Sequence, residues 1–238
     1  MAAVGASVAH AAAFQNGSFE TNGGNGSSTA AGWTFTPWSG GPSYAVSLRN
    51  DEGITNGSMA VGFNNGVGTI GLTTGSQLSQ TFDTILGHQY HVTFDFGDFD
   101  FSSGAQALQA TVKDGISNNL IVFGSGTVTN GTGVNNSAVS LTTNTNVIVA
   151  SDTTGYPSGG FNAPAPNVEF SIVAFDFIAD STSSTIQFMD TVGSNTGDGM
   201  LDNVTLADAG LAPEPSTVVM LAIGTALVGL RRRRSTRA

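Results

Sequence analysis

The chain has 238 residues, of which 10% are charged, 32 are Gly and none are Cys, and its formal net charge is −10. The missing cysteines exclude a disulfide framework, a thiol nucleophile and a thiolate metal site, and the acidity excludes the basic footprint of a nucleic-acid binder. A hydrophobic content of 39% exceeds that of a wholly disordered chain, and the long Ala/Glu/Lys/Leu runs of a helical bundle are missing.

The chain opens on small, weakly apolar residues, AAVGASVAHAAA over 2–13. Ala9-His10-Ala11 and Ala11-Ala12-Ala13 both fit the small-x-small cleavage pattern of an export signal, although no Lys or Arg precedes them. Residues 1–13 are therefore expected to be the end of a signal peptide whose start lies upstream.

From Phe14 to Leu206 no stretch of ten residues keeps a helical period, and short runs of period two recur between Gly, Asn and Ser clusters. Strands are predicted at 14–20, 32–36, 44–48, 58–63, 68–72, 77–83, 89–96, 107–113, 119–128, 147–151, around 173–177 and 186–188, and at 201–206. In 89–96, Val92, Phe94 and Phe96 face one way and His91, Thr93 and Asp95 the other. About a dozen short strands with one apolar face predict an all-β fold, a two-layer antiparallel β-sandwich over 14–206. The polar stretches 22–31 and 129–146 read as loops, and 207–212 as a linker.

The C-terminus combines three parts in order: Pro213-Glu214-Pro215, an apolar run TVVMLAIGTALVGL over 217–230, and Arg231, Arg232, Arg233 and Arg234. Fourteen residues of helix rise about 21 Å, short of the roughly 30 Å hydrocarbon core. A buried core helix would fit that length, but it has no use for four arginines, which mark a cytoplasmic stop. The two prolines hold the preceding segment extended. Residues 213–235 are thus expected to form a short hydrophobic helix with its flanks.

This tail resembles the PEP-CTERM sorting signal of Gram-negative bacteria. The resemblance implies export, transient residence in the inner membrane through 217–230, recognition of the Pro-Glu-Pro region by an exosortase, and a final place at the cell surface or in an exopolysaccharide matrix. The body carries Asn16-Gly17-Ser18-Phe19-Glu20, Gly32-Trp33, Gln77-Leu78-Ser79-Gln80-Thr81-Phe82, Tyr90-His91-Val92-Thr93-Phe94 and Gly199-Met200-Leu201-Asp202-Asn203-Val204. These segments resemble the carbohydrate-binding-module-like, galactose-binding-like jelly rolls of secreted proteins. That resemblance implies one structural calcium ion where the acids of the opening and closing motifs, Glu20 and Asp202, meet. Oxygen-rich coordination suits calcium, and the body up to Ala212 holds 16 acids against Arg49 and Lys113, a balance of −14.

The run Asp95-Phe96-Gly97-Asp98-Phe99-Asp100 lacks an EF-hand frame, and in the acidic group of Asp190, Asp198 and Asp202 near the last strands Asp198 is a further candidate calcium ligand. Sugar platforms use flat aromatic rings with hydrogen-bonding neighbours. Trp38, Tyr44 and Tyr156 lie in Gly/Pro/Ser-rich segments and are the candidate carbohydrate contacts, whereas Trp33 is expected in the core. Catalytic signatures are missing: His88 and His91 are three apart and fall on opposite faces of a strand, and there is no G-x-S-x-G elbow, P-loop or HExxH. The resulting expectation is a non-enzyme that binds extracellular polysaccharide. A purely structural surface protein and a polysaccharide-degrading enzyme are the alternatives.

Overall fold

A computed structural model describes residues 13–38, 45–50, 54–64, 75–98, 106–114, 121–130, 140–144, 147–152, 169–191 and 198–212. Within them are twelve strands: β1 (Thr34–Thr36), β2 (Val46–Arg49), β3 (Ala60–Asn64), β4 (Gln77–Asp83), β5 (His88–Asp98), β6 (Gln106–Asp114), β7 (Ile121–Asn130), β8 (Ser140–Asn144), β9 (Val147–Asp152), β10 (Glu169–Ile178), β11 (Ser183–Asp190) and β12 (Asp198–Leu211). They form two six-stranded antiparallel sheets, ordered β1-β4-β11-β6-β9-β8 and β2-β3-β12-β5-β10-β7. The fold is the expected jelly-roll sandwich.

The alternation in the sequence is what closes the two layers. Phe94 and Phe96 of β5, Phe175 and Phe177 of β10, and Phe82 and Phe188 of β4 and β11 are fully buried. The Phe94 ring meets Phe188 of the opposite sheet at 5.0 Å between centroids with a 70° interplanar angle, and Phe82 meets Phe177 at 6.4 Å. Edge-to-face packing suits the ring quadrupoles, and burial of each ring contributes roughly 1.5–3 kcal/mol. Trp33 joins this core as expected, packed against Phe14, Phe19 and Phe188, with its indole N–H donating to the Asn16 carbonyl at 2.9 Å.

Five expectations about elements are corrected or fall outside the described residues. Residues 14–20 are not a strand, because Asn16 and Phe19 take φ of 53° and 58°, a left-handed conformation that ends extended pairing. Residues 140–144 form β8 inside the segment expected to be a loop. The linker expected at 207–212 is largely absorbed by β12, which pairs with β5 as far as Leu211. The strand expected at 68–72 and the helix expected at 217–230 lie outside the described residues. Among the described residues no helix is long and apolar enough to cross a membrane.

Candidate functional site

The opening and closing motifs meet in space. The Val204 N–H donates to the Gly17 carbonyl at 2.9 Å, and a Cβ on Gly17 would stand 1.8 Å from the Val204 carbonyl oxygen. Only glycine allows that approach. Asn16 fixes the turn that follows: its side chain accepts from the Thr21 N–H and donates to the Thr21 and Ala31 carbonyls. The turn buries Phe19 and points Glu20 outward beside residues 57–59.

Glu20 and Asp202 then grip the same short segment, residues 55–59. Glu20 Oε1 accepts the N–H groups of Ser58 and Met59 at 2.8 and 2.9 Å, and Oε2 accepts the Ser58 hydroxyl at 2.6 Å. Asp202 Oδ2 accepts the N–H groups of Thr55 and Asn56 at 2.8 and 2.7 Å, and Oδ1 accepts the Asn203 N–H at 2.6 Å. Gly57 sits between the two grips with φ 78°, its Cα so near Glu20 that a Cβ would fall 2.4 Å from Oε1.

A further acid completes the site. Asp95 and Asp202 are register partners on β5 and β12, both on the outer face of their sheet, and both are buried, at 4% and 1% exposure. Like charges directly opposite one another destabilise a sheet. The Thr55 hydroxyl lies between them, 2.6 Å from Asp95 Oδ2 and 3.2 Å from Asp202 Oδ2, and Asn203 Nδ2 donates to Asp95 at 3.2 Å. The shorter contact marks Asp95 as the acceptor of the hydroxyl proton, and Asp202 Oδ2 is held instead by the Thr55 and Asn56 N–H groups.

The titration of these groups follows from their surroundings. Burial pushes the Asp202 carboxyl up to about 7, against the opposing hydrogen bonds from Asn56, Thr55 and Asn203. Burial raises Asp95 as well, with Thr55 and Asn203 pulling the other way. At Glu20 burial acts upward but is outweighed by the Ser58 hydroxyl and the Ser58 and Met59 N–H groups, so that carboxyl is held below its ordinary value.

Whether these residues fit calcium depends on which oxygens remain open. Asp202 Oδ2 and Glu20 Oε1 are filled by amide donors, whereas Asp202 Oδ1 and Glu20 Oε2 each accept one bond. Among the described residues no group of three or more His, Cys, Asp or Glu side chains gathers as a metal set. The fit is therefore partial: the acids have the right chemistry, and most of the six to eight oxygens would have to be carbonyls or water. Asp198 begins β12, but its side chain lies outside the described residues. Asp190 is buried on β11, in the other sheet from Asp202.

The other candidates divide similarly. Trp38 is partly buried, and its indole nitrogen is buried with no partner among the described residues; its backbone N–H donates to the Ser76 hydroxyl at 3.3 Å. Tyr44 and Tyr156 lie outside the described residues, as do Pro213, Glu214, Pro215 and Arg231 to Arg234. A shallow depression of about 450 Å³ lies over Trp33, rimmed by Thr21, Asn22, Ser28 and Thr29. The two body histidines have separate carboxylate partners, Asp208 for His88 at 2.9 Å and Asp176 for His91 at 2.8 Å. They share no site. Asp95 stands in the sequence only as the first acid of the 95–100 run, at an outward strand position, and nothing local links it or residue 55 to residue 202.

The family model described as the PEP-CTERM protein-sorting motif matches residues 211–234. No curated protein matches the chain. Among solved structures, the chain is similar to a family 61 carbohydrate-binding module in complex with β-1,4-galactotriose, with 17% identity, 82% of this chain and 97% of that one covered, and a TM-score of 0.47. It is also similar to a family 4 carbohydrate-binding module, with 13% identity, 82% and 98% covered and a TM-score of 0.44. A family 28 module specific for non-crystalline cellulose has 18% identity, 84% and 98% covered and a TM-score of 0.38.

Proposed function

We propose that this chain is an exported protein that an exosortase recognises at Pro213-Glu214-Pro215 and delivers to the cell surface or the extracellular matrix, where its sandwich contacts polysaccharide without catalysis. The observation that carries the reading is the sorting motif at 211–234, which starts on the last residue of β12. The folded body thus hands over directly to the sorting segment, and the apolar run 217–230 would hold the chain in the inner membrane until processing. The test is to express the protein in its host with and without the exosortase gene. Processing should occur only with the gene, and an unchanged C-terminus in both strains would refute the reading.

The polysaccharide part rests on chemistry at the surface. The depression over Trp33 has a rim of hydroxyl and amide groups, suited to sugar hydroxyls, and Trp38 with Tyr44 and Tyr156 remain the proposed aromatic contacts. A glycan array and pull-down with the host exopolysaccharide test this. No binding by a correctly sorted protein would leave a purely structural role.

A calcium ion at Glu20 and Asp202, with Asp198, is the second reading. It is favoured by the buried cross-strand pair of Asp95 and Asp202, whose charge a divalent cation would offset. When bound, the ion would supply structural charge balance and no chemistry of reaction. Calcium titration followed by thermal melting tests it.

A further inference from the structure

Among the described residues four large apolar side chains are exposed: Ile85 (53%), Leu86 (62%), Ile178 (36%) and Leu211 (78%). Scattered exposed leucines are ordinary, but a gathered patch marks a surface with a partner. These four belong to one end of the sandwich. Ile85 and Leu86 form the turn between β4 and β5, closed by the His88 N–H on the Ile85 carbonyl at 3.0 Å. Leu211 is the register partner of His88, and Ile178 that of Gln89.

The turn is held rigidly. Its Thr84 N–H donates to Thr182 at 3.1 Å, its Gly87 N–H to Ala179 at 2.7 Å, and its Ile85 N–H to the Tyr90 hydroxyl at 2.8 Å. Ile85 and Leu86 are therefore fixed outward on a rigid support.

The chain leaves the fold at the same place. The Ala212 N–H donates to the Gly87 carbonyl at 3.1 Å, so the sorting segment departs beside Leu86. From Ala212 to Thr217, where the apolar run begins, there are five residue steps, at most about 18 Å when fully extended. The headgroup layer on each side of a bilayer is only about 6 Å thick. We propose that the end of the sandwich bearing Ile85, Leu86 and Leu211 rests on the lipid bilayer surface while the chain's own C-terminal segment is inserted. The inference rests on the reading of 217–230 as membrane-inserted.

The partner is the apolar boundary of the lipid and not its charge. Asp83, Asp180 and Asp208 flank the patch, with Lys113 two strands from β4 at the same end of its sheet, so the surface there is predominantly acidic and contact should persist in high salt. Tethering makes even a weak contact effective, because the second encounter is intramolecular. The expected consequence is a body held in one orientation, with the Pro-Glu-Pro segment close to the membrane surface where a membrane protease works.

The chain has no cysteine, so single environment-sensitive labels can be placed on the full-length protein at Leu86→Cys, Ala222→Cys and Thr36→Cys. Thr36 is exposed and pairs with Gln77, at the far end of β4 from the turn. The proteins are reconstituted in phosphatidylcholine–phosphatidylethanolamine vesicles containing nitroxide-labelled lipid. The expected result is a blue shift and loss of emission at positions 86 and 222 and neither at 36, unchanged in high salt. Adding Ile85→Ser and Leu211→Ser should abolish quenching at 86 and leave 222 quenched. If 222 is quenched and 86 behaves like 36, the membrane contact is wrong and the inserted segment stands. If 222 is not quenched, both fall. Quenching at 86 that needs added exosortase also overturns the inference, the patch then being a surface for that protein.

Discussion

Gly17 and Val204 lie so close that the smallest side chain at position 17 would collide with the Val204 carbonyl oxygen. This contact joins the two ends of the domain, and the acids flanking it, Glu20 and Asp202, both hold residues 55–59. Gly17→Ala must therefore push apart the opening turn and β12. A loss of about 1–3 kcal/mol is expected, in the range of strained or overpacked substitutions. Chemical denaturation measures it, and an unchanged midpoint would show that the two motifs are not locked together.

Removing the cross-sheet contact between Phe94 and Phe188 tests the sandwich itself. Phe188→Ala should cost about 3–5 kcal/mol, as expected of a buried aromatic ring replaced by a methyl group. A surface change such as Thr34→Ala should cost well under 1 kcal/mol. Similar losses at both positions would argue against this core.

Asp202 sets a pH dependence with a definite sign. Its carboxyl sits at about 7 in the fold against 3.8 in the free group, so the folded state binds the proton more tightly. The stability this supplies is complete below about pH 4 and is lost as pH rises through about 7. Calcium needs the ionised form, so its stabilisation should appear above pH 7 and fade below 6. Melting curves from pH 5 to 8.5, with and without calcium, should show both trends, and Asp202→Asn should flatten the first. If calcium leaves melting untouched at pH 8, the proton alone resolves the Asp95–Asp202 pair.

Glu20 works in the opposite direction. Its carboxyl is held below the ordinary value by its donors on Ser58 and Met59, so its stabilisation is present above about pH 4.5 and is lost as the pH falls. Glu20→Gln should weaken the fold modestly at neutral pH and raise proteolytic cutting within 55–59. Unchanged cutting would show that the segment does not depend on this grip.

Much of this arrangement was readable from residue order. Alternating Phe and Val placed the core strands, Trp33 fell inside as its neighbours suggested, and the arginine cluster marked the tail. The misses have local causes. Phe14 to Glu20 reads as a short strand ahead of a polar cluster, yet its backbone turns left-handed at Asn16 and Phe19. Ser140–Asn144 carries a single large apolar residue and hid among polar neighbours. Ala207 to Leu211 is mostly small or polar but completes β12 through backbone pairing with β5. At the site, Glu20 and Asp202 stand out in the sequence and Asp95 only as one acid of the 95–100 run, whereas its pairing with Asp202 and the place of Thr55 come from the register.

The central claim is exosortase-dependent sorting through the segment that follows Leu211. Intact-mass spectrometry of the protein recovered from the cell surface and medium tests it most directly. The account expects a chain that ends upstream of Arg231 in the wild-type host, and the full arginine-bearing C-terminus retained in membranes when the exosortase gene is deleted. Surface protein that keeps Arg231 to Arg234, equally in both strains, would contradict it.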